Sequence, residues 1–306
     1  MAQRGHLGIA TAPVSSGWID AAVEAGGARV VPPGEAEAVV WTQADDPVGL
    51  AALLRANPQI RWVQLPWAGI EPYLPLLDRT HVWSCAKGVY SDPVAEHALA
   101  MLLAGFRNLA PYAAAQTWTA QHGRNLFDAS VTIFGGGGIA SSLIGLLAPF
   151  RCRVTVVRRT PAPMVGVDRV LPPGQHLDAL RGADAVVLAL PLMPSTEGLI
   201  GSAELDAMES HAWLINVARG AHIDTDALVD ALANGRIGGA GLDVTDPEPL
   251  PDGHALWSLP NAIITPHTAN TQAMARPLLG SRITENVRRY LADEPLVGLI
   301  DIDAGY

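Results

Sequence analysis

Three short strings in the last third of this 306-residue chain carry side chains suited to chemistry: Asn216-Val217-Ala218-Arg219-Gly220, Asp246-Pro247-Glu248-Pro249-Leu250-Pro251 and Thr265-Pro266-His267-Thr268. Arg219 follows the apolar run Trp213–Val217, which reads as a strand, so its side chain is expected at the carboxyl edge of a sheet, where such folds bind ligands. A 2-oxo acid presents a carboxylate beside a carbonyl, and a forked guanidinium can hold both; the alternative is a structural arginine bridging loops. His267 ends a second strand behind Pro266, and an imidazole there can give a proton to a carbonyl oxygen as hydride reaches the carbon. Glu248, stiffened between two prolines, or Asp246 just before it, would favour the imidazolium form and keep the ring a donor. Both carboxylates stay open on sequence alone. The other eight histidines, His97 and His254 among them, read as structural or surface groups, and the absence of HxH or HxxxH spacing gives no reason to expect a catalytic metal.

Upstream, Phe134-Gly135-Gly136-Gly137-Gly138-Ile139-Ala140 follows the strand-like Val131–Phe134 and opens a helical pattern. Gly135 permits a tight turn, and Gly137 with Gly138 lets a pyrophosphate approach the backbone at the N-terminus of a helix starting near Ile139. Ala140 stands where a third glycine is usual and is small enough for close helix–strand packing. At the end of the next strand an NAD site would carry a carboxylate for the ribose 2′-hydroxyl. This chain instead reads Val157-Arg158-Arg159-Thr160. Two guanidiniums suit a 2′-phosphate, so NADP(H) is the expected cofactor with NAD(H) as the lesser option, unless both arginines are merely solvated.

These residues need a scaffold that brings distant segments to one edge. The first ninety residues alternate strand-like runs (6–10, 28–31, 38–41, 61–65, 82–85) with helical stretches at 18–25 and 47–56. A long apolar helix is expected from Asp92 as its N-cap, with Pro93 in the first turn, running past Arg107 and weakening into 118–127. A second series follows, with strands at 131–134, 154–157, 185–190, 213–217, 241–244 and 263–265. Its helices are expected at 139–147 and 224–233, with short ones around 202–208, and a final helix spans 274–291. The pattern predicts an α/β protein with two Rossmann-like, doubly wound parallel-sheet domains and an active-site cleft between them. The domains are expected at 1–93 plus 272–306 for substrate and at 94–271 for the dinucleotide.

Composition agrees with a globular enzyme: 49% hydrophobic, 16% charged, with a formal net charge of −10 that disfavours nucleic acid as a partner. Cys85 and Cys152 are far apart and expected to be reduced. The N-terminus carries Arg4 but no signal-like apolar stretch, and no run approaches membrane-helix length, so a cytoplasmic protein without membrane contact is the expectation.

With those residues in hand, the chain resembles the D-isomer-specific 2-hydroxyacid dehydrogenase family over nearly its whole length. The resemblance rests on Gly135-x-Gly137-x-Ile139-Ala140, Leu190-Pro191-Leu192-Met193-Pro194-Ser195-Thr196, Asn216-Val217-Ala218-Arg219-Gly220, Gly241-Leu242-Asp243-Val244, Glu248-Pro249-Leu250, Pro266-His267 and Val94-Ala95-Glu96-His97. It implies that Arg219 binds the substrate carboxylate and carbonyl, that His267 is the acid/base, and that Glu248 rather than Asp246 is its partner. It also implies that Asp243 accepts from the nicotinamide carboxamide, that Pro191, Thr196 and Ala218 line the cofactor, and that backbone N–H groups near Ala68 and Gly69 hold the substrate carboxylate. A homodimer through the helix and arm around 94–127 is implied as well.

The chain departs from the family pattern at several points. Arg158 in place of an acid resembles the NADP-using glyoxylate and hydroxypyruvate reductases. Tyr90 stands where many members have asparagine and could either hydrogen-bond substrate or close the site. Trp67 and Trp257 could narrow the pocket or simply pack, and Lys87, the single lysine, reads as solvated. The expected activity is therefore NADPH-dependent reduction of small 2-oxo acids such as glyoxylate and hydroxypyruvate to D-2-hydroxy acids. Phosphoglycerate and formate oxidation are disfavoured. The rival reading is a dinucleotide-sensing, dimeric corepressor-like binding protein on the same fold.

Overall fold

The computed structural model describes residues 7–303 and 305. Its chain divides into two compact units, residues 1–90 with 272–306 and residues 91–271. Arg4 and His6, the latter assigned above to the first strand, lie outside the described residues.

The first unit is a five-stranded parallel sheet built from β1 (Gly8–Ala12), β2 (Arg29–Val30), β3 (Ala38–Trp41), β4 (Trp62–Gln64) and β5 (Val82–Ser84), in the order β2-β1-β3-β4-β5. Helices α1 (Gly17–Ala25) and α2 (Pro47–Ala56) connect the strands. Asp46 caps α2 by accepting from Gly49 N at 2.7 Å, and Pro47 takes the first position, where its missing N–H costs nothing. Val39, Trp41, Leu50, Ile60, Val63, Tyr73 and Trp83 form this unit's apolar core.

The second unit opens with α3 (Ser91–Phe106) and α4 (Leu109–Ala114). A seven-stranded parallel sheet follows: β6 (Ser130–Phe134), β7 (Arg153–Val157), β8 (Arg169–Leu171), β9 (Ala185–Leu188), β10 (Trp213–Asn216), β11 (Gly239–Leu242) and β12 (Ala262–Ile264). The order is β12-β11-β10-β9-β6-β7-β8, so the winding reverses between β6 and β9. Alternate residues of each strand face opposite sides. Ile133, Val156, Val187 and Ile215 pack under α3 and α5 (Gly138–Leu147), while Val186, Leu188, Leu214 and Leu242 pack under α6 (His176–Leu180), α7 (Ser202–Ala207) and α8 (Thr225–Ala233). Burial on both faces explains why these strands are apolar throughout.

The last helix, α9 (Gln272–Leu291), belongs to the first unit. Its buried Asn286 donates to Gln64 Oε1 at 2.9 Å, and Gln64 in turn accepts from Ser84 Oγ, which receives the Trp62 indole N–H at 2.8 Å. This fully bonded polar chain fixes α9 against β4 and β5. Among the described residues, no helix is long and apolar enough to cross a membrane.

Candidate active site

The winding reverses between β6 and β9, and the carboxyl ends of strands at such a reversal are the place where open parallel sheets take ligands. Gly135 leaves β6 there at φ 107°, and a Cβ at this position would run into the carbonyl oxygen of Ala189, which follows β9. Glycine is therefore required by both backbone angle and contact. Gly137 has nothing within 4 Å of its would-be Cβ, and Gly137 and Gly138 are exposed, so the backbone amides opening α5 have room for an anion. Ile139 lies in the first turn of α5, and Ala140 is wholly buried against the sheet. At the end of β7, the stem of Arg158 lies against Gly136, where a Cβ would come within 2.9 Å of its Cδ, while Arg159 is exposed. These features fit a dinucleotide: a pinched turn, open amides at a helix start and a guanidinium beside them.

Arg219, Asp243 and His267 leave the carboxyl ends of β10, β11 and β12 in turn. Arg219 is half-buried, with Nη1 donating to the Ala218 carbonyl at 2.7 Å. Its turn is held by Asn216, whose amide donates to the Arg219 carbonyl at 2.8 Å and accepts from Ala218 N at 3.0 Å. The next residue, Gly220, lies against the Thr245 backbone, and a Cβ there would strike that carbonyl. The arginine's turn is thereby seated on the loop that carries Glu248.

The imidazole of His267 meets Glu248, with Nδ1 2.6 Å from Oε1. No such contact joins His267 to Asp246, whose backbone carbonyl accepts from Thr225 Oγ1 at 2.7 Å. His267 itself sits at φ 51°, an uncommon conformation for a side-chain-bearing residue. Asp243 holds it there. His267 N donates to the Asp243 carbonyl at 2.8 Å, Thr268 N to Oδ1 at 2.8 Å and Ala269 N to Oδ2 at 3.0 Å. Thr265 Oγ1 adds a bond to Oδ1 at 2.6 Å, and His97 Nε2 lies 3.5 Å from the same oxygen. Burial opposes the charge on Asp243, but the bonds from His97, Thr265 and the two amides outweigh it and bring the carboxyl down to about 2. Asp243 is thus the residue around which the His267 turn is wound.

Pro191 is exposed, and Thr196 closes their loop by donating from Oγ1 to the Pro191 carbonyl at 3.0 Å; Ala218 is buried. In the first unit, Ala68 is exposed and Gly69 half-buried on the loop after β4. Tyr90 is buried, packs against Trp67 in a tilted arrangement with ring centroids 5.7 Å apart, and donates its hydroxyl to the Pro66 carbonyl at 3.0 Å. Burial pushes this phenol well above its ordinary range. Its proton is spent on shaping the 66–70 loop. Trp257 is about half exposed and donates to Pro251 O, and Lys87 is exposed.

Sequence reasoning passed over the roles of His97, Thr265 and Asn216. Asn216 was legible in principle, since an asparagine closing a strand readily bonds the backbone a few residues on. His97 was not, because its partners, Asp243 and Thr265, lie just past strands far along the chain.

Comparison with known proteins identifies the family and the fold. The pattern of the family described as "D-isomer specific 2-hydroxyacid dehydrogenase, NAD binding domain" matches residues 99–269. A glyoxylate/hydroxypyruvate reductase A from Yersinia enterocolitica is 28% identical over 282 residues, covering 88% of this chain and 87% of that protein. The human glyoxylate reductase/hydroxypyruvate reductase is 33% identical over 218 residues, covering 68% and 66%. Among solved structures, a D-isomer specific 2-hydroxyacid dehydrogenase from Xanthobacter autotrophicus, in complex with NADPH and MES, superposes with a TM-score of 0.85 at 28% identity, covering 99% of this chain and all of that one.

Proposed function

This chain belongs to the D-isomer specific 2-hydroxyacid dehydrogenase family, as an oxidoreductase with an NAD-binding domain, and we propose that it reduces small 2-oxo acids to D-2-hydroxy acids with NADPH. Glyoxylate and hydroxypyruvate are the first substrates of this reading, which the relatives named for those acids support. The observation that carries it is the 2.6 Å pair of His267 and Glu248 on the sheet edge that also bears Arg219.

Gly135, Gly137, Gly138 and Ile139 would hold the pyrophosphate, and Arg158 and Arg159 the 2′-phosphate; the guanidinium beside Gly136 and a relative crystallised with NADPH support this choice. Pro191, Thr196 and Ala218 would line the ring, with Asp243 near its carboxamide. When bound, the dihydronicotinamide supplies a hydride to the substrate's carbonyl carbon. Arg219 grips the carboxylate and the carbonyl oxygen, drawing electron density toward that oxygen. With Nδ1 committed to Glu248, His267 delivers the proton from Nε2 to the oxygen, and the Glu248 carboxylate stabilises the charge the ring carries beforehand. The net change consumes one hydride and one proton and yields the hydroxy acid. His267 is 54% exposed and regains its proton from solvent. The same reading includes a homodimer joined through residues 94–127, where Leu109 and Trp118 expose apolar side chains.

A panel of 2-oxo acids run with NADPH and with NADH tests the proposal. It expects turnover of glyoxylate or hydroxypyruvate, faster with NADPH. Absence of turnover across the panel, with NADPH binding intact, would favour the dinucleotide-sensing alternative.

A further inference from the structure

On the turn that begins with Arg219 lies a histidine outside every motif named above. His222 is wholly buried, and its ring nitrogens face backbone carbonyls at the two ends of one loop. Nδ1 is 2.9 Å from the Thr196 oxygen and Nε2 is 3.2 Å from the Leu190 oxygen. A ring carrying one proton donates to one of these oxygens, and a ring carrying two donates to both. Between those ends the loop is drawn together by Thr196, whose hydroxyl accepts from Met193 N at 2.9 Å and donates to Pro191 O at 3.0 Å. The backbone adds two further ties, Gly198 N to Ala221 O at 2.8 Å and Ile200 N to His222 O at 2.9 Å. The loop starts beside Ala189, the residue whose carbonyl abuts Gly135.

We propose that His222 is a positioning residue for the dinucleotide: it clamps both ends of the 190–196 loop and binds that loop to the Arg219 turn. The inference rests on the reading of this sheet edge as the NADPH site. Burying an imidazole among apolar residues costs desolvation that a leucine in the same space would avoid. What the ring adds is direction, because two carbonyls on one rigid five-membered ring cannot move independently. The loop that would line the nicotinamide and the arginine that would hold the substrate are thereby set as one piece.

The test compares wild type with His222→Leu, which keeps apolar volume without donors, and His222→Gln, which keeps one donor nitrogen. NADPH affinity is read by direct fluorescence titration, kinetics at saturating NADPH, and folding by thermal unfolding. Losing the ring's donor contacts should raise the NADPH dissociation constant roughly tenfold in His222→Leu, with a smaller rise in His222→Gln. Any change in kcat at saturating NADPH should be smaller than the change in NADPH affinity, and the melting temperature should change little. Unchanged NADPH affinity in folded variants, or loss of folding in both, would make His222 a plain structural residue and overturn the proposal. Failure of wild type itself to bind NADPH would instead overturn the function proposed above.

Discussion

His267 and Glu248 lie nineteen positions apart in the chain, yet their side chains meet at 2.6 Å, and it is Glu248 rather than nearby Asp246 that makes this contact. The pairing commits Nδ1 to the carboxylate, and in the proposed mechanism Nε2 is left for the substrate. Glu248→Gln keeps an acceptor for Nδ1 but removes the charge. It should lower kcat roughly 100-fold with the NADPH dissociation constant nearly unchanged. Steady-state kinetics beside a binding titration checks this, and a variant as fast as wild type would remove Glu248 from the mechanism.

Arg219 is proposed to hold two oxygens of one substrate, which a point charge does poorly. Arg219→Lys should therefore lose roughly 100-fold in kcat/KM for the oxo acid despite retaining the charge. Recovery of most activity in the lysine variant would mean that charge alone suffices and that the forked geometry is irrelevant.

Arg158 lies along Gly136, beside the turn that would take the pyrophosphate. Arg158→Ala should cut the preference for NADPH over NADH roughly tenfold, chiefly through weaker NADPH binding. Paired measurements of kcat/KM with the two nicotinamides read this out. An unchanged ratio would shift the 2′-phosphate contact to Arg159.

Much of this scaffold was legible in the residues. Helix α2 spans 47–56 as expected because an Asp cap and an N-terminal proline mark its start. Most of the predicted strands overlap the observed ones because strands buried on both faces are apolar, although β1 begins at Gly8 and β11 spans Gly239–Leu242, two residues off the expected 6–10 and 241–244. The misses have local causes. The edge strand β8 is three residues long, with no burial pattern to betray it. The long helix ends at Phe106 rather than past Arg107, and Asn108 follows in the left-handed region before α4. Asp92 lies in the first turn of α3, which starts at Ser91, and accepts from Ser142 at 2.6 Å. In the site, the residue types at 219, 248 and 267 could be read directly. The choice between two nearby carboxylates could not be made from residue type and spacing alone, nor could the roles of His97 and His222, whose partners come from other strands and loops.

Asp243 supplies a pH-dependent share of stability. Its carboxyl is held down from 3.8 to about 2 in the folded protein. That share is complete above the unfolded value and is lost as pH falls from about 4 through 2. Asp243→Asn should be less stable than wild type by about 2 kcal/mol near neutrality, with the gap closing over that acid window. Denaturant unfolding of both proteins at several pH values tests this. A gap that stays constant down to pH 2 would show that the ionised carboxylate is not what holds the His267 turn.

The claim on which the account depends is that His267 gives the proton that completes carbonyl reduction. The direct measurement is kcat of His267→Ala with saturating NADPH and glyoxylate or hydroxypyruvate, alongside NADPH binding by titration. A fall in kcat of roughly 100- to 10,000-fold, with binding retained, is expected. Turnover equal to wild type would contradict it.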